Sequence, residues 1–229
     1  MDKTMLEKVR GGIIVSCQAL PEEPLFGSEV MAKMAIAAQA GGAVGIRANT
    51  PVDIAAIKAE VNLPLIGLWK RDYEGSEVYI TPTLEEAEEV IRAGADIVAL
   101  DATSRPRPKG ETLEELAAKL RSRGDALLMA DISTVEEGLR AEELGFHILS
   151  TTMSGYTPYS PQQEGPDFDL IRELSARASV PVFAEGRIHT REEAVECFRS
   201  GAYTVVIGGA ITRPQQITKR FTDFVRSQG

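Results

Sequence analysis

Histidine and cysteine are the scarcest reactive residues in this chain, two of each among 229 residues. Cys17 and Cys197 stand far apart and form no CxxC pair, which argues against a disulfide framework or a zinc site. His147 falls inside a predicted strand and His189 just before a predicted helix. A catalytic metal held by histidines is thereby disfavoured, and only an all-carboxylate Mg²⁺ site stays open. Positive charge is also short, with 25 Lys and Arg against 34 Asp and Glu and a net charge of −9. Such a chain repels a phosphate backbone, so nucleic acid is not the expected partner. A small phosphorylated ligand remains compatible, because a few arginines can dominate inside a cleft. No apolar run approaches the roughly 20 residues that span a bilayer. The first residues (MDKTMLEKVRGG) lack the apolar stretch of a secretory signal, and the expected location is the cytoplasm. No GxGxxG follows the first apolar run, which weakens a dinucleotide-binding reading. Trp69 and the five tyrosines follow no stacking pattern. No linker or low-complexity stretch divides residues 1–229, so one domain is expected.

What the sequence does contain is a repeated unit. Gly42-Ala-Val-Gly-Ile, Gly94-Ala-Asp-Ile-Val-Ala-Leu, Gly145-Phe-His-Ile-Leu and Gly201-Ala-Tyr-Thr-Val-Val-Ile each open with a Gly that follows an amphipathic helical stretch. That is the place of a left-handed helix terminus, and the apolar run behind it reads as a buried strand. Between these lie four further strands, at Gly12-Ile-Ile-Val-Ser, Leu63-Pro-Leu-Ile-Gly-Leu, Ala126-Leu-Leu-Met-Ala and Val180-Pro-Val-Phe-Ala. Two of them open on a proline, Pro64 and Pro181, which a first strand position tolerates. Thr83-Leu-Glu-Glu86, Thr112-Leu-Glu-Glu115, Thr134-Val-Glu-Glu137 and Thr190-Arg-Glu-Glu193 fit the capping box that starts a helix. Eight strands alternating with helices fit a closed barrel or an open doubly wound sheet. The near-fourfold repetition favours the barrel, a single (β/α)₈ TIM barrel with phosphate-binding loops after strands seven and eight.

In such a barrel the chemistry sits where the strands end. The residues there are Ser16, Cys17 and Gln18, then Arg47 and Asn49, then Lys70, Arg71 and Asp72. Asp101 and Thr103, Asp131, and Ser150 to Thr152 follow. Glu185, Gly186 and Arg187, then Gly208, Gly209 and Arg213, complete the ring. Glycines after the last two strands let backbone N–H groups approach an anion. Singly, each residue has a plainer reading. Lys70-Arg71-Asp72 is a solvated loop, Asp131 or Glu185 a helix cap or ion-pair partner, Cys17 a packed side chain, and His147 a residue of the core or the opposite face. Their convergence on one end lifts the group above those readings. Ser154 to Pro166 is the longest irregular segment and is expected to form an active-site loop.

At these positions the chain resembles the N-acetylmannosamine-6-phosphate 2-epimerases. The blocks that carry the resemblance run nearly end to end. They are Val15-Ser-Cys-Gln-Ala-Leu, Gly45-Ile-Arg-Ala-Asn, Ile66-Gly-Leu-Trp-Lys-Arg-Asp, Ile80-Thr-Pro-Thr, Met129-Ala-Asp-Ile-Ser-Thr, Ser154-Gly-Tyr-Thr, Ala184-Glu-Gly-Arg-Ile and Val206-Ile-Gly-Gly-Ala-Ile-Thr-Arg-Pro. The resemblance implies interconversion of N-acetylmannosamine 6-phosphate and N-acetylglucosamine 6-phosphate in sialic acid breakdown, with no organic cofactor. It implies Lys70 and Glu185 as the catalytic pair, with Gln18, Arg47, Asp131, Gly186, Arg187, Gly208, Gly209 and Arg213 around the substrate. It also implies a homodimer, whose contact helices would be Asp2 to Val9 and Pro214 to Arg226. Two rivals stand beside it. One is another phosphate-binding barrel such as a ribulose-phosphate 3-epimerase, which typically relies on metal-binding histidines that this chain lacks. The other is a sugar-phosphate binder without catalysis.

Overall fold

A computed structural model describes residues 3–228. After α1 (Lys3–Val9) the chain alternates strand and helix: β1 (Ile13–Cys17), α2 (Ser28–Ala40), β2 (Gly45–Asn49), α3 (Pro51–Glu60), β3 (Leu65–Leu68), α4 (Leu84–Arg92), β4 (Ile97–Asp101), α5 (Leu113–Arg123), β5 (Leu127–Asp131), α6 (Val135–Glu143), β6 (Ile148–Ser150), α7 (Phe168–Arg177), β7 (Val182–Glu185), α8 (Arg191–Arg199) and β8 (Thr204–Ile207), closed by α9 (Gly209–Thr212) and α10 (Pro214–Ser227). Every strand pairs in parallel with its sequence neighbours, and β8 pairs back to β1, giving a closed eight-stranded barrel. Asp2, expected to begin the first helix, lies outside the described residues.

The repeat seen in the sequence is a repeated helix terminus. Gly42, Gly94, Gly145 and Gly201 have φ of 94°, 102°, 83° and 105°. In each case the glycine N–H reaches the carbonyl three residues back and the next N–H reaches the carbonyl five back, as in Gly42 to Gln39 and Ala43 to Ala38, both 3.0 Å. This pair of bonds closes the helix and needs a residue at positive φ, which glycine adopts without strain. The turn consumes the residues after each glycine, so β2 begins at Gly45 and β6 at Ile148 rather than at the glycines themselves. His147 therefore precedes β6, and its Nδ1 accepts the Leu128 N–H at 3.0 Å on the face opposite the strand ends. Pro64 and Pro181 sit one residue before their strands, where their carbonyls accept from Ile46 (2.9 Å) and Leu149 (3.0 Å) and no proline N–H is needed. All four predicted capping boxes form, each with its Glu reaching back to the Thr backbone.

Along each strand alternate residues face opposite sides. One set (Ile14, Ile66, Leu68, Ile97, Ala99, Leu127, Met129, Ile148, Phe183, Val206) packs together as the barrel interior. The other set packs against the helices, as Ile46, Val98, Leu128 and Leu149 do. Extending the interior register toward the strand ends brings Ser16, Arg47, Lys70, Asp101, Asp131, Ser150, Glu185 and Gly208 onto the same side. The polar layer is thus the top layer of the same ladder whose lower rungs are the apolar core.

Candidate active site

This layer opens into a cavity of about 590 Å³, lined by Ser16, Gln18, Arg47, Lys70, Tyr79, Thr152, Glu185, Gly186, Arg187, Gly208, Gly209 and Arg213, among others. Asp131 lies just beneath, fully buried. Lys70, Glu185, Gln18, Arg47, Asp131, Gly186, Arg187, Gly208, Gly209 and Arg213 thus lie at one end of the barrel, and His147 at the other.

At the centre Arg47, 1% exposed, holds two carboxylates. Its Nη1 donates to Asp131 Oδ1 (3.1 Å) and to Glu185 Oε2 (2.5 Å), and its Nη2 donates to Asp131 Oδ2 (2.5 Å). A buried guanidinium is tolerated only with such partners. Burial alone would lower its pKa, and the two carboxylates reverse that and raise it. Asp131 therefore faces the arginine, not the lysine. Glu185 sits 15% exposed on the cavity side. Burial pushes its carboxyl up to about 7, opposed by Arg47 and reinforced by Asp131, with the Thr152 hydrogen bond and Lys70 pulling it back down.

Lys70 follows β3, and its backbone N–H is held by Asn49 Oδ1 at 2.8 Å. Among the described residues no carboxylate lies within ion-pair distance of its Nζ. Burial, then Arg47 and Arg213, lowers its pKa to about 8, against the opposing pull of Glu185 and Asp131. Arg213 thus supplies part of the positive field at Lys70.

Arg187 is occupied elsewhere. At φ 54° it turns its guanidinium onto the β6 loop, donating from Nε to the Gly165 carbonyl at 2.8 Å and from Nη1 to the Ser154 carbonyl. It also lies over the Tyr156 ring, 5.9 Å from its centroid. Arg213, at the start of α10, meets Glu23 at 2.7 Å. Glu23 in turn accepts from the Leu20 N–H at 2.8 Å and Gln215 Nε2 at 2.9 Å, tying the β1 loop to the last helix. Gln18 donates to Ser16 Oγ at 2.9 Å, and its buried Oε1 has no partner among the described residues. Gly208 and Gly209 precede and open α9, so its first N–H groups face the cavity end.

Tyr79, Glu23 and the aromatic residues around Arg71 were not among the residues that the sequence pattern singled out. Tyr79 lies in the excursion after β3, with its hydroxyl 3.8 Å from Met153 Sδ. Burial first, and then Asp101 and Asp131, push its phenol up to about 12, so it stays a donor. Arg71 lies over Trp69 (5.0 Å) and Tyr73 (5.6 Å), because residues two apart on an extended chain share a side. No group of three or more His, Cys, Asp or Glu that could hold a metal ion occurs among the described residues.

Comparison with known proteins agrees with this geometry. The family model described as "Putative N-acetylmannosamine-6-phosphate epimerase" (NanE) matches residues 31–227. A curated relative from Caldanaerobacter subterraneus subsp. tengcongensis, named "Putative N-acetylmannosamine-6-phosphate 2-epimerase", is 55% identical over 229 residues, covering 100% of this chain and 97% of the relative. One of the same name from Listeria welshimeri is 50% identical, covering 96% and 95%. The solved structure of the N-acetylmannosamine-6-phosphate 2-epimerase from Clostridium perfringens superposes with a TM-score of 0.95 at 53% identity, over 98% of this chain and 97% of that one. A thiamine phosphate pyrophosphorylase from Pyrococcus furiosus shares the fold alone, at TM-score 0.59 and 17% identity over 93% and 92% of the two chains. The chain belongs to the N-acetylmannosamine-6-phosphate epimerase family.

Proposed function

We propose that this barrel interconverts N-acetyl-D-mannosamine 6-phosphate and N-acetyl-D-glucosamine 6-phosphate, with Lys70 and Glu185 dividing the chemistry. The C2 proton of a sugar is acidic only when C1 is an open-chain carbonyl. Two tasks follow, opening the ring and moving a proton at C2. Glu185, ionised beside Arg47, accepts the anomeric hydroxyl proton and returns one to the ring oxygen, and the C1–O5 bond breaks. Lys70, neutral, takes the proton from C2, and the electron pair moves onto the C1 oxygen as an enolate. The Lys70 ammonium, whose protons exchange with solvent, returns one to C2 after the enolate turns to present its other face, the C1 carbonyl re-forms, and ring closure through Glu185 gives the epimer. The observation that carries this reading is a half-buried lysine with no carboxylate partner among the described residues, beside an Arg–carboxylate cluster. A lysine is a base only when neutral, and a pKa near the working pH is what general-base catalysis needs. The positive field of Arg47 favours the developing enolate.

Gly186 after β7, and Gly208 and Gly209 at the start of α9, hold the phosphate with backbone N–H groups, with Arg213 at the rim. Gln18 Oε1, buried without a donor, suits the N-acetyl N–H or a sugar hydroxyl. Asp131 orients Arg47, and Arg187 shapes the β6 loop over the cavity. No described helix is long and apolar enough to cross a membrane. Two free, buried cysteines suit the reducing cytoplasm. A homodimer is supported by α10, which buries none of its residues and exposes Phe221, Phe224 and Val225 at 71%, 67% and 68%. A second copy of the chain covering this face would remove that apolar surface from water.

The test is proton NMR of the protein with N-acetylmannosamine 6-phosphate in D₂O without added metal. Appearance of the gluco epimer carrying deuterium at C2 is expected. Absence of turnover by the folded protein, or turnover of a pentulose phosphate instead, contradicts the reading.

A further inference from the structure

Two adjacent threonines meet Glu185 at separate points. Both belong to the single 3₁₀ turn Thr151–Met153 that follows β6. Thr151 Oγ1 donates to the Glu185 carbonyl at 2.8 Å and accepts its N–H at 3.1 Å, fixing the backbone of the last residue of β7. Thr152 Oγ1 lies against the carboxylates instead, 2.8 Å from Asp131 Oδ1 and 3.1 Å from Glu185 Oε2. Its other neighbours are Ser150 Oγ at 2.8 Å and Arg47 Nη1 at 3.3 Å. A hydroxyl has one proton to give and two lone pairs to fill. Arg47 can only donate and Ser150 can donate or accept, so when Ser150 donates the one Thr152 proton is sought by two carboxylates at once.

We propose that Thr152 is a positioning residue whose hydroxyl rotates between Asp131 and Glu185 as the protonation of Glu185 changes. With Glu185 protonated, its carboxyl O–H is a donor, and the Thr152 proton turns to Asp131. With Glu185 ionised, the Thr152 proton turns to Glu185 Oε2, while Asp131 keeps both of its bonds from Arg47. The rotor stabilises the ionised form of Glu185 at no cost in rearranged heavy atoms. The other charged groups facing this carboxyl are Arg47 from β2 and Lys70 beyond β3, which favour ionisation, and Asp131 from β5, which opposes it. On the β8 side Glu185 is paired with Val206, and Arg213 lines the same cavity farther on. The inference rests on the proposed role of Glu185 in ring opening, and its test is chosen to read Glu185 without turnover.

Carbon NMR of protein labelled with ¹³C at the glutamate carboxyl follows the titration directly, with the Glu185 resonance identified by its loss in Glu185→Gln. Removing a hydrogen bond to a charged group in Thr152→Val should move the Glu185 titration up by about one pH unit. The acidic limb of the kcat/KM profile should move with it. Thr152→Ser, which restores the hydroxyl, should return both to wild type. Should Thr152→Val misfold, Thr152→Ala removes the hydroxyl without adding bulk and carries the same expectation. An unmoved titration in the hydroxyl-free variant, or a Ser variant displaced as far as the Val variant, overturns the proposal. A displaced titration together with a fully active Glu185→Gln enzyme would instead sink the catalytic role of Glu185 and leave the rotor standing.

Discussion

Arg47 Nη1 donates to Glu185 Oε2 across 2.5 Å while the same guanidinium holds Asp131 through both of its η nitrogens. One cation thus serves two carboxylates in a layer closed to water on the core side. Glu185 carries the exposed edge of that cluster and Asp131 the buried one. The consequence is an asymmetry: loss of Asp131 removes the anchor, whereas loss of Glu185 removes the group on the cavity side, the one proposed to meet substrate.

Asp131→Ala should therefore injure the fold as well as the reaction. It leaves Arg47 buried with a single carboxylate, and removing one partner of a buried pair costs about 3–5 kcal/mol. Glu185→Gln keeps the shape and one acceptor oxygen, and should lose activity with little change in stability. Denaturant unfolding of the two variants checks the contrast. Equal stability loss in both would count against the division of roles.

The pH dependence has a defined sign. In the proposed mechanism Lys70 works neutral, and its pKa is lowered to about 8. Glu185 in that mechanism works ionised, and its pKa is raised to about 7. Both active forms are the deprotonated ones, so kcat/KM should rise with pH through both values and level off above them. Below about 7 the slope should steepen, because two protons then oppose activity. A profile that falls between pH 7 and 8 would reverse the assignment of acid and base.

Arg213→Ala should act on binding. Its charge sits at the rim beside Gly208 and Gly209, away from the Arg47 cluster. Loss of a charge-assisted phosphate contact corresponds to about a tenfold to hundredfold rise in KM, with kcat less affected. Steady-state kinetics with the phosphorylated sugar decide this, and a defect confined to kcat would contradict it.

Gly155 is the point where the β6 loop meets Arg187. A Cβ there would fall 1.8 Å from Arg187 Nη1, and the residue has φ of 81°. Arg187 is anchored to the Ser154 and Gly165 carbonyls, so it cannot simply swing aside. Gly155→Ala should cost at least about 1–2 kcal/mol from the backbone alone and should raise KM as the loop is displaced. Thermal unfolding at wild-type midpoint with unchanged KM would show that the loop tolerates the change.

The barrel was legible because its signals are local. Gly42, Gly94, Gly145 and Gly201 each close a helix by the same pair of hydrogen bonds, and the four Thr/Glu boxes each start one. These depend only on residues within a turn. The top layer was legible as a set, because a period of two carries the interior register from Ile66 and Leu68 to Lys70 and from Phe183 to Glu185. Partnerships across the barrel were not. Nothing in the sequence says that Asp131 turns to Arg47, that Arg187 turns to the β6 loop, or that Glu23 meets Arg213 from 190 residues away. Such pairings are fixed by closure of the sheet, which no local pattern encodes. Tyr79 and the Arg71 stack were missed for a related reason. The excursion after β3 folds back through the bridge of Lys70 to Ile80, and an irregular loop carries no periodicity to read.

Exchange of the C2 proton in the Lys70→Ala and Glu185→Gln variants tests the central assignment most directly. Each would be incubated with N-acetylmannosamine 6-phosphate in D₂O and followed by proton NMR, alongside saturation-transfer measurement of ring opening. With Lys70 at C2 and Glu185 at the ring, Lys70→Ala should open the ring and incorporate no deuterium, while Glu185→Gln should slow opening. Retained deuterium incorporation in Lys70→Ala would contradict the assignment.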